Sequence, residues 1–340
     1  MTQPARRIGI IGTGGIALEH VAAYRLAGAE IVALCDVDAA TLAERQERWG
    51  VPVGTTSAAE LLALAEVEAV SVCTPNASHH PITVAAARAG KHVLCEKPIS
   101  LGLDEAREMI AACADAGVVL QVGHHMRSWS AATKARELIE RGAIGRVTYA
   151  RFRQAHDWGG ATKVRGVFGS LADSGGGTLL DNGCHLFDLA RYLGGDVRDV
   201  YARTATLKYD IEVEDTASAS LGFVSGAIGA IEVAWTATGW QEAFWVYGTE
   251  GSLECDNLAR TGDLVHRFRR PGQRDWGTTE VERHPPGALG ARARHIANFL
   301  AAIDGSCDVV CTGTDGLEAV RLVLAAYESA ERGTAVSVAG

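Results

Sequence analysis

From Arg7 to about Val122 short β-like runs alternate with longer helical ones, and few architectures accept that order. Residues 8–11, 31–35, 69–73, 92–95 and 118–121 read as strands. Residues 16–27, 39–49, 58–64, 80–89 and 103–116, rich in Ala, Leu and Glu, read as the helices between them. Strand–helix alternation predicts a parallel sheet covered by helices on both faces, and right-handed crossovers make it a doubly wound Rossmann-type domain. After Gly123 the pattern changes. A helix (134–141), a strand (147–154), a Gly-bearing loop (159–177) and a helical stretch (179–193) precede a long β-rich run over 197–281, and helices at 293–303 and 316–332 follow. The expected fold is α/β: an N-terminal Rossmann domain over 1–123, then an α+β domain over 124–340 with a large, mostly antiparallel sheet, whose C-terminal helix is free to pack back on the first domain.

Composition narrows the class. The chain of 340 residues is 47% hydrophobic and 21% charged, with a formal net charge of −9. It has ample material for two cores and is no disordered chain. The acidic balance argues against a nucleic-acid partner held by phosphate neutralisation. No apolar run is long enough for a spanning helix, so no membrane partner is expected. Arg6-Arg7 and the apolar run after them imitate a secretory signal, but Glu19, His20 and Arg25 interrupt it, and no targeting segment is expected. The eight cysteines form no C-x-x-C pair and lie scattered in apolar segments. They read as buried free thiols in a reducing compartment, the cytoplasm, with no metal site implied.

The first strand runs into Gly12-Thr13-Gly14-Gly15-Ile16-Ala17, a G-x-G-x-x-A fingerprint. Gly12 permits the tight turn, Gly14 lets the backbone approach a pyrophosphate, and Ala17 lets helix and strand pack closely. Asp36 ends the second strand 19 residues after Ala17, where a carboxylate binds ribose hydroxyls and repels a 2′-phosphate. Asp38 adds negative charge, and no Lys or Arg occurs from Val37 to Glu44. NAD is therefore expected over NADP.

Two further constellations carry chemistry. Thr74-Pro75-Asn76-Ala77-Ser78-His79 follows the third strand, and Cys95-Glu96-Lys97-Pro98 the fourth, both just past carboxyl ends where open α/β sheets bind ligands. Lys97 reads either as an acid–base lysine in a cleft or as part of a solvated turn. In Gly175-Gly176-Gly177-Thr178-Leu179-Leu180-Asp181-Asn182-Gly183-Cys184-His185, a helix puts Asp181 and His185 on one face. Such a pair can make the histidine a general base, and equally can be a helix cap with a core-facing histidine. Asp188 reads as a continuation of the series or a surface ion-pair partner.

Taken in order, the fingerprint, Thr74-Pro75-Asn76 with His79, the Ala89–Pro98 segment ending in Glu-Lys-Pro, and the Gly175–Asp188 segment resemble the Gfo/Idh/MocA oxidoreductases, relatives of glucose–fructose oxidoreductase and inositol 2-dehydrogenase. The resemblance covers essentially the whole chain. It implies a nicotinamide-dependent enzyme moving a hydride between a secondary alcohol carbon and the nicotinamide. It also implies that Lys97 meets the Asp181/His185 pair beside that ring at the domain interface. On that basis Lys97 hydrogen-bonds the reacting hydroxyl, His185 takes its proton, and Asp181 orients the site. Gly12, Thr13, Gly14, Gly15, Ile16, Asp36, Val37, Thr74, Pro75, Asn76, His79, Glu96 and Lys97 place the cofactor. Arg127 matches the family's arginine in Gln121-Val122-Gly123-His124-His125-Met126-Arg127, where His124 and His125 differ from the Phe and Asn of many members. With Trp158, these residues are the candidates for binding substrate.

The expected substrate is a cyclic polyol or sugar of inositol or pyranose type. Within the same chemistry stands a sugar-nucleotide or ketosugar reductase, and beside it a redox-neutral NAD-dependent glycosidase. A non-catalytic sugar sensor fits least, because Lys97, Asp181 and His185 are all present. A homodimer or homotetramer is expected through the second domain's sheet, whose exposed face is expected to carry the alternating Ile228, Val233, Trp235 and Phe244.

Overall fold

In a computed structural model of the chain, residues 5–157, 166–256, 262–269 and 279–338 are described. Two compact units are present: Met1–His125 with Leu289–Val320, and Met126–Ala288 with Arg321–Gly340. Among the described residues no helix is long and apolar enough to cross a membrane.

In the first unit, strands β1 (Arg7–Ile11), β2 (Glu30–Cys35), β3 (Val53–Thr55), β4 (Ala69–Val72), β5 (His92–Cys95) and β6 (Leu120–Val122) form one sheet. Its order is β3-β2-β1-β4-β5-β6 and every pairing is parallel. Helices α1 (Gly15–Leu26), α2 (Ala39–Trp49), α3 (Ala58–Leu62), α4 (His79–Arg88) and α5 (Leu103–Asp115) connect the strands. All four residues of β4 are buried, as a strand covered on both faces requires. Strand β3 was not expected; three residues of sequence Val-Gly-Thr carry too little alternation to register. The order reverses between β1 and β4, which opens a crevice at their carboxyl ends. A late segment completes the core. Ile296, Phe299 and Leu300, from the helix Ala291–Ile303, pack with Ile8, Ile10, Val21 and Tyr24.

The second unit opens with α6 (Ser130–Glu140) and β7 (Val147–His156), followed by α7 (Leu171–Ser174), α8 (Thr178–Asp181) and α9 (Gly183–Gly194). Strands β8 (Val197–Ala205), β9 (Thr216–Phe223), β10 (Ile228–Ala234), β11 (Trp240–Gly248), β12 (Gly251–Cys255), β13 (Leu264–Phe268), β14 (Glu280–His284) and β15 (Val336–Ser337) complete a nine-stranded sheet with β7. Its order is β14-β13-β12-β11-β7-β10-β9-β8-β15; β7 and β10 run parallel, and every other pairing is antiparallel. Helix α9, with Leu186, Phe187, Leu189 and Leu193 buried, packs against β7 and β10.

Three expectations change here. The stretch 179–193 is two helices, α8 and α9, joined at Asn182, whose backbone stays right-handed (φ −90°, ψ −39°). Val233, Trp235 and Phe244 are buried, not exposed, and only Ile228 of that set faces outward, 59% exposed. Alternation gives two faces without saying which is covered, and Trp235, just past β10, turns in against Tyr209 and Val213. The outward face instead carries Tyr149 stacked on Tyr247 (5.8 Å between centroids) and the Arg151 guanidinium over Trp245 (4.9 Å). All eight cysteines are free and seven are buried, as expected; Cys307, in the loop after Ala291–Ile303, is exposed.

Candidate active site

The turn after β1 is built for a ligand that approaches the backbone. Gly12 has φ +85°, and a Cβ there would lie 2.6 Å from the Cys73 carbonyl oxygen, so both conformation and space demand glycine. A Cβ on Gly14 or Gly15 would meet nothing within 4 Å, which leaves open space in front of α1. Gly14 caps α1 without a side-chain hydrogen bond, and the first turn holds no acidic residue. Free N–H groups and the helix dipole at such an end favour an anion such as a pyrophosphate.

Asp36 lies beside this turn. Its Oδ2 accepts from the Thr13 N–H and hydroxyl, both at 2.7 Å, and its Oδ1 from the Asp38 N–H at 3.0 Å. Asp38 is the α2 cap, accepting from the Thr41 N–H at 2.6 Å. Arg45, one residue past the acidic window read from sequence, donates from Nε to the Thr13 carbonyl at 3.1 Å and pairs with Glu44. Val37 is left exposed beyond β2. The open glycine turn, the uncapped helix and the Asp36 carboxylate fit a dinucleotide.

Beyond β4 and β5, His79 braces both loops. Its buried ring sets Nδ1 2.7 Å from the Pro98 carbonyl and Nε2 3.0 Å from the Thr74 carbonyl. Thr74, Pro75 and Asn76 thereby keep a fixed relation to the Glu-Lys-Pro turn, whose Lys97–Pro98 peptide is cis. Lys97 is half-buried. Glu96 is buried and heads a network that sequence reasoning missed. It accepts from Arg292 Nη1 at 2.7 Å and from His20 Nε2 at 2.8 Å, while Arg292 Nε also donates to Glu19 at 2.7 Å. A carboxylate only accepts, so His20 Nε2 carries the proton and Nδ1 accepts from the Ser71 hydroxyl at 3.1 Å. Burial alone would raise the Glu96 carboxyl; Arg292 and His20 outweigh it and hold the group well below the usual carboxylate range. Gly123 allows this packing, since a Cβ there would lie 2.9 Å from Glu96 Oε2. His124 is buried, and His125 Nδ1 lies 3.5 Å from Arg292 Nη2.

Burial, with the Arg292 charge beside some of them, lowers His20, His79 and His125 below the ordinary histidine value, and His295 to about 3. The folded state keeps these rings neutral, whereas the unfolded chain protonates them near pH 6.5. Stability is therefore complete above about pH 6.5 and falls as pH drops below it, by up to about 1.4 kcal/mol per pH unit for each ring. The urea midpoint should fall between pH 7.5 and 5.5. A midpoint that did not move over that interval would contradict this reading.

In the second unit, the glycine run before α8 is explained by packing. A Cβ on Gly177 would lie 1.8 Å from the Glu214 carbonyl oxygen, and one on Gly176 would lie 2.2 Å from the Tyr327 hydroxyl. The buried Glu214 carboxylate accepts from the Gly177 N–H (3.1 Å), the Leu179 N–H (2.8 Å) and the Tyr327 hydroxyl (3.0 Å). Burial still pushes its carboxyl above the ordinary value. Glu214 and Tyr327 thus fix the segment that ends in Asp181. Asn182 Nδ2 donates to His156 Nε2 at 3.1 Å, and the His156 ring lies flat on Trp240 (4.1 Å, 6°). Asp181 and His185 are both buried, Asp181 closing α8 and His185 in the first turn of α9.

Arg127 forms a buried ion pair within the second unit. Its guanidinium forms a fork on Asp188 (Nε–Oδ2 2.8 Å, Nη2–Oδ1 2.7 Å) and lies over the Tyr192 ring. Asp188 is fully buried, so the surface ion pair admitted for it does not occur. Trp158 lies outside the described residues; His156 and Asp157 before it are described, and Asp157 accepts from the Tyr209 hydroxyl at 2.7 Å.

Residues 6–124 match the family model of an oxidoreductase family with an NAD-binding Rossmann fold, and residues 132–254 match the GFO/IDH/MocA C-terminal domain. The chain is 34% identical to the 1,5-anhydro-D-fructose reductase of Ensifer adhaerens, with 98% of each chain covered. It is 30% identical to the myo-inositol 2-dehydrogenase of Thermotoga maritima, again over 98% of each. Levoglucosan dehydrogenase in complex with NADH matches with a TM-score of 0.90 at 26% identity, covering 99% of this chain and 100% of that one. With its Rossmann fingerprint, its Glu-Lys-Pro turn and these matches along both units, the chain belongs to the Gfo/Idh/MocA family of oxidoreductases.

Proposed function

We propose that the protein is an NAD-dependent dehydrogenase acting on a secondary alcohol or ketone carbon of a cyclic polyol or sugar. The observation that carries this reading is the crest of the first unit's sheet. There the adjacent strands β1, β4 and β5 end, in turn, in an open glycine turn, the His79-braced loop and the turn bearing Lys97. Bound NAD would supply the ring carbon that takes or gives the hydride. Lys97 donates to the reacting oxygen and stabilises negative charge as it develops there. His185 removes the hydroxyl proton, which must leave as the hydride does, and Asp181 sets the orientation of that exchange. Thr74, Pro75 and Asn76 shape the cofactor's resting place. His124, His125, Arg127 and Trp158 are assigned to the substrate side, with Arg127 acting through its fork on Asp188.

The names of the relatives, which span anhydrofructose, inositol and levoglucosan, support a polyhydroxylated ring as substrate. The test is NADH formation by purified protein over a panel of inositols, hexoses, pentoses and anhydrosugars, with the ketones assayed in the reducing direction. Silence across the panel, with NAD binding measured separately, would reject a free polyol or sugar and favour a sugar nucleotide or a redox-neutral glycosidase. NAD preference rests on Asp36. Asp36→Ala should raise the KM for NAD about tenfold or more and improve NADP use, because Arg45 then faces a 2′-phosphate without the opposing carboxylate. An unchanged NADP/NAD ratio would refute that assignment.

The protein is further proposed to form a homodimer or homotetramer through the outward face of the nine-stranded sheet. Tyr149, Tyr247, Trp245, Arg151 and Ile228 share that face by register. Aromatic and arginine side chains dominate interface energetics. Light scattering that gave only monomer at micromolar concentration would remove this assignment.

A further inference from the structure

The edge of the nine-stranded sheet holds a cluster that the proposed oxidoreductase chemistry does not use. On β13 and β14, His266 pairs across the ladder with Glu282, and His284 lies two residues further along β14, on the same face. One ligand atom from each of the three falls within 4.8 Å of the others. The His266 side chain is only 6% exposed, yet among the described residues neither of its ring nitrogens has a hydrogen-bond partner, and His284 Nε2 has none either. Burying imidazole nitrogens without partners is costly, and native structures rarely leave them so.

The spacings suit a shared cation. His266 Nδ1 lies 3.7 Å from Glu282 Oε2, and His284 Nε2 lies 3.8 Å from the same carboxylate. Both are too long for hydrogen bonds. They are close to the roughly 3.3–3.4 Å that separates two ligands of a tetrahedral ion held at 2.0–2.1 Å. Two imidazoles and one carboxylate are a donor set for a borderline-soft divalent ion and a poor one for magnesium or calcium, which take oxygen ligands. The Phe268 ring, stacked on His266 at 4.7 Å, limits how that imidazole can turn away.

We infer that His266, Glu282 and His284 form a binding site for a zinc-class divalent cation, which ties edge strand β14 to β13 and leaves a fourth coordination position for water. The cation accepts lone pairs from one nitrogen of each ring and one Glu282 oxygen, and no covalent or redox step is involved.

The test is zinc titration of the full-length protein without a polyhistidine tag, followed by calorimetry and by metal analysis after dialysis. Variants His284→Ala and Glu282→Gln are measured alongside. Both side chains reach solvent, 28% and 55% exposed, so neither change should disturb the fold, and melting without zinc checks this. The expected result is one zinc per chain, unaffected by excess magnesium, with affinity reduced tenfold or more in each variant. Zinc should also raise the melting temperature of the wild type and not of His284→Ala. Absence of stoichiometric zinc binding in the wild type, or variants that bind as it does, would overturn the inference.

Discussion

Lys97→Ala is expected to lower kcat by about 10²- to 10⁴-fold, the usual loss when a positioned proton-handling group is removed, and to leave NAD affinity within a few-fold of wild type. The split follows from the architecture. The pyrophosphate is assigned to the Gly12–Gly15 turn and the α1 N-terminus, and the adenosine ribose to Asp36, none of which depends on the Lys97 side chain. Glu96 and His79, which fix the turn, remain in place. NADH fluorescence titration reads the binding half and steady-state turnover the chemical half. Wild-type turnover in Lys97→Ala would refute the mechanism, whereas loss of NAD binding would show that the lysine belongs to the cofactor.

The second large effect is on stability. Arg292→Met strips the buried Glu96 carboxylate, 6% exposed, of its principal counter-charge. Removing one member of a buried pair destabilises by roughly 3–5 kcal/mol, because the remaining charge is stranded. For a chain of 340 residues, whose unfolding entropy is about 0.7 kcal/mol/K by the per-residue average, that corresponds to a fall in melting temperature of roughly 4–7 °C. A control separates stranded charge from lost packing. Adding Glu96→Gln to Arg292→Met should recover part of the loss, since a neutral amide no longer needs the guanidinium. A loss under about 1 kcal/mol in Arg292→Met, or no recovery in the double variant, would assign Arg292 to packing alone.

What could be read from sequence was what is local. The glycine turn, Asp36 and the Glu-Lys-Pro turn each lie within a few residues of a strand end, so their spacing placed them. Partners contributed from a distance left no such mark. Arg292 is 196 residues from Glu96, and Glu214 is 37 residues from Gly177; neither has a local pattern that points to its role. The second unit's sheet was legible as a sheet, but not its faces, because Val233, Trp235 and Phe244 alternate as an exposed apolar stripe would. His266 and His284 escaped for a related reason. Their proximity exists only once β13 and β14 have paired in register.

The Glu96–Arg292 pair has a consequence for how the chain is made. Its acid emerges early in synthesis and its arginine 196 residues later. At about 5–20 residues per second, roughly 10–40 s separate the two. Throughout that interval the nascent nucleotide-binding part holds Glu96 without its Arg292 counter-charge and lacks Ile296, Phe299 and Leu300 from its core. A fragment ending at His125 should therefore behave as an incomplete, aggregation-prone module. The first third or so of the coding sequence carries the cofactor signature but does not, by itself, encode a finished domain.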